Sequence, residues 1–197
     1  MASRGALIAI EGCDRSGKST QAALLVQRLR DAGVPTELVK FPDRTTVIGK
    51  IIDRHLKGDA ELDDHSIHLL FSANRWGFKA WMERQQRAGV TLVLDRYVHS
   101  GLAYSMARGL DVEWCRATDI GLPHPDLVIY LDAPPTVAAG RGGYGAELYE
   151  NVELQQRVYN AFAELQDASW VVLDASLPPE NVAKEVLVAA QRCVSLP

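Results

Sequence analysis

A glycine-rich segment near the amino terminus carries the clearest chemistry in this sequence. Residues 12–19 read GCDRSGKS and fit the pattern G-x-x-x-x-G-K-[ST] in full. In that pattern backbone N–H groups surround a phosphate, Lys18 reaches the terminal phosphates and the Ser19 hydroxyl ligates Mg²⁺. We therefore expect a nucleotide phosphate site formed by Gly12, Asp14, Arg15, Ser16, Gly17, Lys18, Ser19 and Thr20.

The segments on either side of this loop favour a phosphate site over a chance glycine turn with a surface lysine. Residues 6–10 form a short apolar run typical of a buried strand, and residues 18–32 carry apolar side chains at helical spacing. A helix that begins at the loop would direct its positive end at a bound anion. Gly33 is the expected end of that helix.

The rest of the chain alternates in the same way between predicted strands and helices. Further strands are expected at residues 36–40, 90–94, 127–131 and 170–173. Helices are expected at 47–56, at 63–88 as one long helix capped by Asp63 or Asp64, at 100–108, 112–119, 148–167 and 179–192, and another is expected to begin near Pro134. This pattern predicts an α/β fold with a five-stranded parallel sheet and helices on both faces.

Charged residues follow three of the predicted strands. Ligands of parallel α/β sheets bind beyond the carboxyl ends of the strands, where the loop at residues 12–19, the segment 41–44 (FPDR) and the segment 95–97 (DRY) all lie. Asp95 ends an apolar strand, which is the position of an acid that holds Mg²⁺. The alternative is that Asp95 only caps a helix or ends its strand.

Composition limits the function classes. The chain has 197 residues, 47% hydrophobic and 23% charged, which is typical of an ordinary globular domain. A formal net charge of −4 argues against non-specific nucleic-acid binding. The three separated cysteines favour a reduced, intracellular protein, and we read Cys13 as a small loop residue without a redox role. No signal peptide or membrane span is predicted, so the cytoplasm, or else the nucleus, is the expected location.

Several motifs together resemble the thymidylate kinases, which transfer a phosphoryl group from ATP to dTMP. They are, in family order, EGCDRSGKST at 11–20, FPDR at 41–44, LFSANRW at 70–76, DRY at 95–97 with Ser100 and Gly101, GLPHPDL at 121–127 and YEN at 149–151. The variant most resembled is the eukaryotic and poxviral one, which has an arginine in the phosphate loop. The resemblance implies a nucleoside monophosphate kinase-like fold in a single domain over residues 1–197, with ATP and Mg²⁺ as cofactors and a homodimeric assembly.

The resemblance also assigns roles to individual residues. The catalytic set is Arg15, Lys18, Asp95 and Arg96, and the metal is held by Ser19 and Asp95. The acceptor dTMP is bound by Asp14, Phe41, Arg44, Phe71, Arg75, Arg96, Ser100, Gly101, Tyr104 and Tyr149. Within that set Asp14 binds the sugar 3′-OH, Phe71 stacks on the base, Arg75 donates to a pyrimidine carbonyl and Tyr104 lies against the 2′ side of the sugar.

Elementary chemistry agrees with part of this assignment. Two phosphate groups that react with each other repel, so cations such as Lys18, Arg15, Arg44 and Arg96 must lie between them. A carboxylate at position 14 would repel phosphates unless it faces a neutral partner. Phe71 and Arg75 share a helix face, although the pattern alone favours Phe71 as a core residue.

Residues 140–149 resemble the family's mobile lid. Residues 140–145 read GRGGYG, and Arg141 is expected to stack on adenine. His99 stands where an aromatic residue is usual, and Leu148 stands where an arginine is common. These departures affect the fine shape of the pocket and the lid contacts, not the reaction class.

Two rival functions share the phosphate loop. A deoxynucleoside kinase accepts an uncharged hydroxyl, so it has no use for Arg44 as a second phosphate ligand. A GTPase-like switch usually reads guanine through an Asn-Lys-x-Asp element, which this sequence lacks.

Overall fold

A five-stranded parallel sheet forms the centre of the computed structural model, which describes residues 4–139 and 147–194. The strands are β1 (Leu7–Glu11), β2 (Thr36–Lys40), β3 (Thr91–Asp95), β4 (Leu127–Asp132) and β5 (Val171–Asp174), in the spatial order β2-β3-β1-β4-β5. Every neighbouring pair is parallel. The predicted sheet is confirmed, with strand boundaries within one residue of the expected ones.

Helices connect the strands and cover the sheet. They are α1 (Lys18–Asp31), α2 (Val47–Leu56), α3 (Asp64–Trp76), α4 (Lys79–Arg87), α5 (Val98–Met106), α6 (Val112–Ala117), α7 (Pro135–Ala139), α8 (Val152–Leu165) and α9 (Pro179–Ala190). None of the helices in the described part of the chain is long and apolar enough to cross a membrane.

Alternating side chains of the buried strands supply the core on each face. In β1, Ile8 and Ile10 pack in one cluster with residues of α1 and α9. Leu7 and Ala9 point the other way and pack with Phe41 and Met82. Both faces of β1 are fully buried, as expected for the central strand of a doubly covered parallel sheet.

The single long helix predicted for residues 63–88 is wrong. The structure has two helices there, because α3 ends at Trp76 and α4 begins at Lys79. Gly77 at the break is a poor helix former, and the ring of Phe78 turns inward to meet Phe41 edge to face at 5.5 Å. The cap prediction at the start is confirmed, since the Asp63 carboxylate accepts from the backbone N–H groups of His65 and Ser66.

Most of the predicted lid lies outside the described residues, namely positions 140–146, which include Arg141. Residues 147–149 of that prediction are described, and α8 begins later than expected, at Val152, with Asn151 as its cap.

The turn that carries the FPDR segment into α2 is closely packed on Gly49. The Thr46 hydroxyl accepts from the Gly49 N–H at 2.9 Å and donates to the Asp43 carbonyl at 3.0 Å. A Cβ at position 49 would lie 1.8 Å from that carbonyl oxygen and 2.8 Å from the Arg44 Cα. The position of Arg44 therefore depends on the absence of a side chain at Gly49.

We predict that Gly49→Ala lowers the free energy of unfolding by about 1–3 kcal/mol, the usual cost of overpacking. Gly77→Ala is the matched control, because its new Cβ meets nothing closer than 3.4 Å and should leave stability within about 1 kcal/mol. Urea denaturation of both variants measures the difference. Equal stabilities would contradict the packing argument.

Candidate active site

The phosphate loop connects β1 to α1 in the expected strand–loop–helix arrangement. Gly17 precedes α1 with φ of 98°, a conformation that glycine adopts without strain. A Cβ on Gly12 would lie 2.7 Å from the Ser16 hydroxyl and 2.8 Å from the Leu131 carbonyl. Both pattern glycines are therefore required by the backbone path.

Lys18 lies buried within the loop. Its ammonium donates to the Cys13 carbonyl and to the Ser16 hydroxyl. Burial lowers the pKa of this ammonium to about 8, and the Arg96 guanidinium adds to the effect. The Cys13 thiol is also buried, which raises its pKa to about 11 and makes it unreactive.

The two predicted metal ligands lie side by side. The Ser19 hydroxyl donates to the Asp95 carboxylate at 2.5 Å. This all-oxygen donor pair fits Mg²⁺, which takes one or two protein ligands and completes its coordination with water and substrate phosphates. Within residues 4–139 and 147–194 there is no group of three or more His, Cys, Asp or Glu arranged to hold a metal ion.

Arg96 connects the loop to α5. Its guanidinium donates to the Gly12 carbonyl and to the Ser100 hydroxyl, each at 3.1 Å, and forms an ion pair with Asp14. The backbone at Arg96 has φ of 69°, an uncommon value for a residue other than glycine. The backbone thus turns the side chain back over the phosphate loop.

Asp14 has a charged partner where the sequence analysis called for a neutral one. Burial opposes its ionisation, but the charges of Arg96 and Lys18 and the hydrogen bonds from Tyr104 and Gln155 together outweigh burial and lower the pKa of the Asp14 carboxyl. Gln155 on α8 binds the same residue twice, accepting from its N–H at 3.0 Å and donating to its carboxylate at 2.8 Å. The negative charge of Asp14 is therefore compensated by the protein itself, through Arg96.

Two clefts lie beside the phosphate loop, which we call the acceptor cleft and the phosphate cleft. The acceptor cleft has about 750 Å³ of empty space. Its wall brings together the whole predicted acceptor set, which is Asp14, Phe41, Arg44, Phe71, Arg75, Arg96, Ser100, Gly101, Tyr104 and Tyr149. The phosphate cleft is lined by Arg15, Ser16, Gly17, Lys18, Ser19, Thr20 and Asp95 among others.

Phe71 and Arg75 form one side of the acceptor cleft. Phe71 is half-buried and packs against the core cluster below it, so it is both a core contact and a cleft wall. Arg75 is 2% exposed and forms an ion pair with Asp119 at 2.6 Å.

Ser100 is held by a buried carboxylate. Glu11, at the end of β1, accepts from the Ser100 hydroxyl at 2.5 Å and from the N–H groups of Tyr97 and Ser100 at 2.9 and 3.2 Å. Glu11 thereby caps the start of α5 from the neighbouring strand. The Ser100 hydroxyl therefore donates to Glu11 and accepts from Arg96, so its oxygen could act toward a further group only as an acceptor.

The two tyrosines stack at the other end of the cleft. The rings of Tyr104 and Tyr149 lie 5.9 Å apart and 26° from parallel. Arg96 lies over the Tyr104 ring at 5.5 Å, and Arg108 lies over the Tyr149 ring at 4.8 Å. The Tyr149 hydroxyl also bonds His55, which fixes its ring against α2.

Carboxylates from the segment before α8 contact two predicted phosphate ligands. Glu147 binds Arg44 through two bonds of 2.6 and 3.0 Å, and Asp53 binds it at 2.8 Å. Glu150 accepts from Arg15 Nε at 2.9 Å. The Arg15 side chain keeps 35% of its surface exposed at the cleft.

Sequence reasoning missed several residues that shape this site. They are Glu11, Asp119, Glu147 and Gln155, together with the β5–α9 loop, whose residues Ala175, Ser176, Leu177 and Pro178 line the phosphate cleft. Glu11 alone left a signal, since a carboxylate that ends an otherwise apolar strand needs a buried partner. Asp119 and Gln155 lie in ordinary polar surroundings in the sequence.

Fold and site together define a P-loop kinase of the nucleoside monophosphate type. A family model described as thymidylate kinase matches residues 10–186. The chain is 54% identical to a thymidylate kinase of Arabidopsis thaliana, over 93% of this chain and 70% of that protein. It is 43% identical to the human thymidylate kinase, over 98% of this chain and 93% of that protein.

The similarity extends to a solved structure. The thymidylate kinase of Candida albicans, described by its authors as having broad substrate specificity, superimposes with a TM-score of 0.90. It is 34% identical, and the match covers 98% of this chain and 93% of that one. This chain belongs to the thymidylate kinase family.

The low pKa of Lys18 predicts a pH-dependent nucleotide affinity. Phosphates bind the charged ammonium, so above pH 8 the empty site must first regain a proton. We expect the Kd for ATP, measured by calorimetry from pH 7.5 to 9.5, to stay level up to about pH 8 and then to rise by up to about tenfold per pH unit.

Lys18→Arg is the control for this experiment. A guanidinium keeps its charge over the whole range, so the variant should show no such slope whatever its affinity at pH 7.5. An equal slope in both proteins would assign the titration to another group.

Proposed function

We propose that this chain transfers the γ-phosphoryl group of ATP to dTMP, giving dTDP and ADP, as a step in the synthesis of dTTP. One observation carries the proposal beyond family membership. The phosphate cleft and the acceptor cleft share a wall, and Asp14, Arg44 and Arg96 line both. Two anionic substrates in these clefts would meet at the guanidinium groups of Arg44 and Arg96, whose carboxylate partners Glu147 and Asp14 also line both clefts. Phosphoryl transfer to a phosphate needs cations at this point.

On the donor side, the loop backbone, Lys18 and the positive end of α1 would bind the phosphates of ATP. Ser19 and Asp95 would hold Mg²⁺, which neutralises charge on the donor phosphates when it is bound. The adenine would lie toward the apolar β5–α9 loop, beside Leu177 and Pro178. The predicted stacking of Arg141 on adenine falls outside the described residues and stays a prediction.

On the acceptor side, the thymine base would stack on Phe71 while Arg75 donates to its carbonyl. Tyr104 and Tyr149 would enclose the sugar, with Asp14 accepting from its 3′-OH. The 5′-phosphate would then reach Arg44 and Arg96 at the shared wall. Arg44 is held by Glu147 and Asp53, so the arriving phosphate would compete with carboxylates for its donors.

Within this arrangement Arg15 is our candidate for the group that stabilises the charge developing on the transferred phosphoryl. Arg15 lines the phosphate cleft, and its Nε donates to the Glu150 carboxylate. An arginine supplied in cis accelerates phosphoryl transfer by about 10³–10⁵ in comparable enzymes. Lys18, in contrast, would bind phosphate in the ground state as well.

We also propose that the protein is a homodimer. Helices α2 and α3 expose apolar side chains on the surface, including Val47 and Ile51 on α2 and Leu69 and Trp76 on α3. The molar mass measured by light scattering during size-exclusion chromatography would test this proposal. A mass equal to that of one chain would contradict it. The cytoplasm, or else the nucleus, remains the expected compartment.

The reaction itself predicts a distinct substrate profile. With ATP and Mg²⁺ the purified protein should phosphorylate dTMP, accept dUMP less well and use purine monophosphates poorly by comparison, as followed by ADP release. Phosphorylation of thymidine but not of dTMP would assign the chain to the deoxynucleoside kinases. Nucleotide hydrolysis without any acceptor would favour a switch protein.

A second prediction separates Arg15 from the binding residues. A contact made only in the transition state lowers kcat and kcat/KM together. Arg15→Ala or Arg15→Met should therefore lose about a hundredfold or more in kcat with little change in either KM. Arg15→Lys should recover only part of the lost kcat, because an ammonium keeps the positive charge but lacks the planar two-pronged contact of a guanidinium.

Arg157→Ala is the matched control, since it removes an exposed arginine that pairs with Glu153 on α8. It should leave kcat unchanged. If the kcat of Arg15→Ala is within threefold of that of the unmodified protein, the catalytic role would be assigned to Arg96 or Arg141 instead.

A further inference from the structure

One face of α3 is fastened to the turn after α6 by polar contacts. His68, Ser72 and Trp76 follow one another at four-residue spacing, so their side chains share a helix face. His68 Nε2 lies 3.0 Å from the Thr118 hydroxyl, and the Thr118 carbonyl accepts from Ser72 at 2.9 Å and from Trp76 Nε1 at 2.8 Å. The turn is thereby fixed in position relative to α3.

This turn presents a carboxylate to Arg75. Asp119 Oδ2 accepts from Arg75 Nη2 at 2.6 Å, and Oδ1 accepts from Nε at 3.3 Å. The Ser72 hydroxyl lies 2.8 Å from the same Oδ1. The two side chains are 3% and 7% exposed, so solvent screens the pair little.

The terminal nitrogens of the guanidinium lie close to Gly101 in the first turns of α5. A Cβ at Gly101 would lie 2.9 Å from both terminal nitrogens of Arg75. Arg75 is therefore confined between Asp119 and the start of α5. The carboxylate takes the Nε–Nη2 edge, which leaves Nη1 outside the ion pair, and Arg75 also lines the acceptor cleft.

We propose that Asp119 is a positioning residue that sets base specificity through Arg75. Resting on the proposed function, the inference is that Asp119 makes the cleft select a pyrimidine with a carbonyl at C4 over one with an amino group there. A guanidinium has donors only, so a carbonyl pairs with it, while an amino group would place donor against donor. Such a mismatch discriminates strongly only when the protein donor is fixed and buried.

The carboxylate also has an electrostatic role. The Asp119 carboxylate neutralises Arg75 in a cleft that is proposed to receive an uncharged base. It also accepts the charge-assisted hydrogen bonds that orient the Arg75 guanidinium. Without it the guanidinium would turn toward other acceptors, and the preference for the C4 carbonyl would decrease.

The test compares dTMP with dCMP as acceptors for Asp119→Asn, which keeps the size of the side chain. The ratio of kcat/KM for dTMP to that for dCMP should fall at least fivefold. The KM for dTMP should rise while the KM for ATP stays unchanged. Glu113→Gln is the control, because it removes an exposed carboxylate from α6, the helix that precedes this turn, and it should change none of these values.

An Arg75→Ala background shows whether Asp119 acts through Arg75. If it does, adding Asp119→Asn to Arg75→Ala should leave the ratio within twofold of Arg75→Ala alone, whereas two independent residues would give multiplied effects. A purely structural role would lower the melting temperature without changing the ratio between the two acceptors.

Ser72→Ala is the milder second variant, because it removes the hydroxyl that contacts the Asp119 carboxylate and the Thr118 carbonyl but keeps the ion pair. It should lower the acceptor ratio about two- to threefold, and it decides the question if Asp119→Asn does not fold. A protein that phosphorylates dTMP while both variants keep the original ratio would overturn this proposal. An unmodified protein that does not phosphorylate dTMP would instead overturn the proposed function.

Discussion

The set of contacts made by the partly buried guanidinium of Arg96 is the interaction on which the rest of the site depends. It binds the backbone and carboxylate of the phosphate loop through Gly12 and Asp14, and it binds α5 through Ser100. The backbone N–H of Arg96 donates to the Ile10 carbonyl on β1. A backbone with φ of 69° costs roughly 1–2 kcal/mol for such a residue, so the contacts of the side chain must outweigh that cost. Loop, strand and helix are therefore positioned as one unit.

This arrangement explains how a chain with a net charge of −4 can hold a cluster of cations in its site. Each of three arginines there has a carboxylate beside it, which is Glu150 at Arg15, Glu147 at Arg44 and Asp14 at Arg96. A guanidinium left alone at such a site would be costly where it is shielded from water. The carboxylates lower that cost before substrates arrive, and phosphates can then compete for the same donors because they match the same planar geometry.

The sequence predicted what depends on local pattern and missed what depends on distant packing. The loop at 12–19 and the sheet follow from spacing and apolar runs, and the family motifs selected residues of α3 and α5 that line one cleft. The break at Gly77 did not, because the inward turn of Phe78 is set by Phe41, which lies far away in the chain. The charged partner of Asp14 was missed for the same reason, since Arg96 reaches it only once β1 and β3 are paired.

The residues that sequence reasoning missed share a physical role. Glu11, Asp119 and Gln155 are buried or nearly buried polar groups, and each orients a residue that faces a substrate cleft. Gln155 shows why this matters, because its amide group binds Asp14 on the loop, the Tyr104 hydroxyl and the Tyr149 carbonyl. The Gln155 amide nitrogen has two N–H donors for these three oxygens. It can contact all of them only if the loop, α5 and the segment before α8 keep one relative position. The shape of the acceptor cleft is therefore set by this buried polar layer as much as by the side chains that line it.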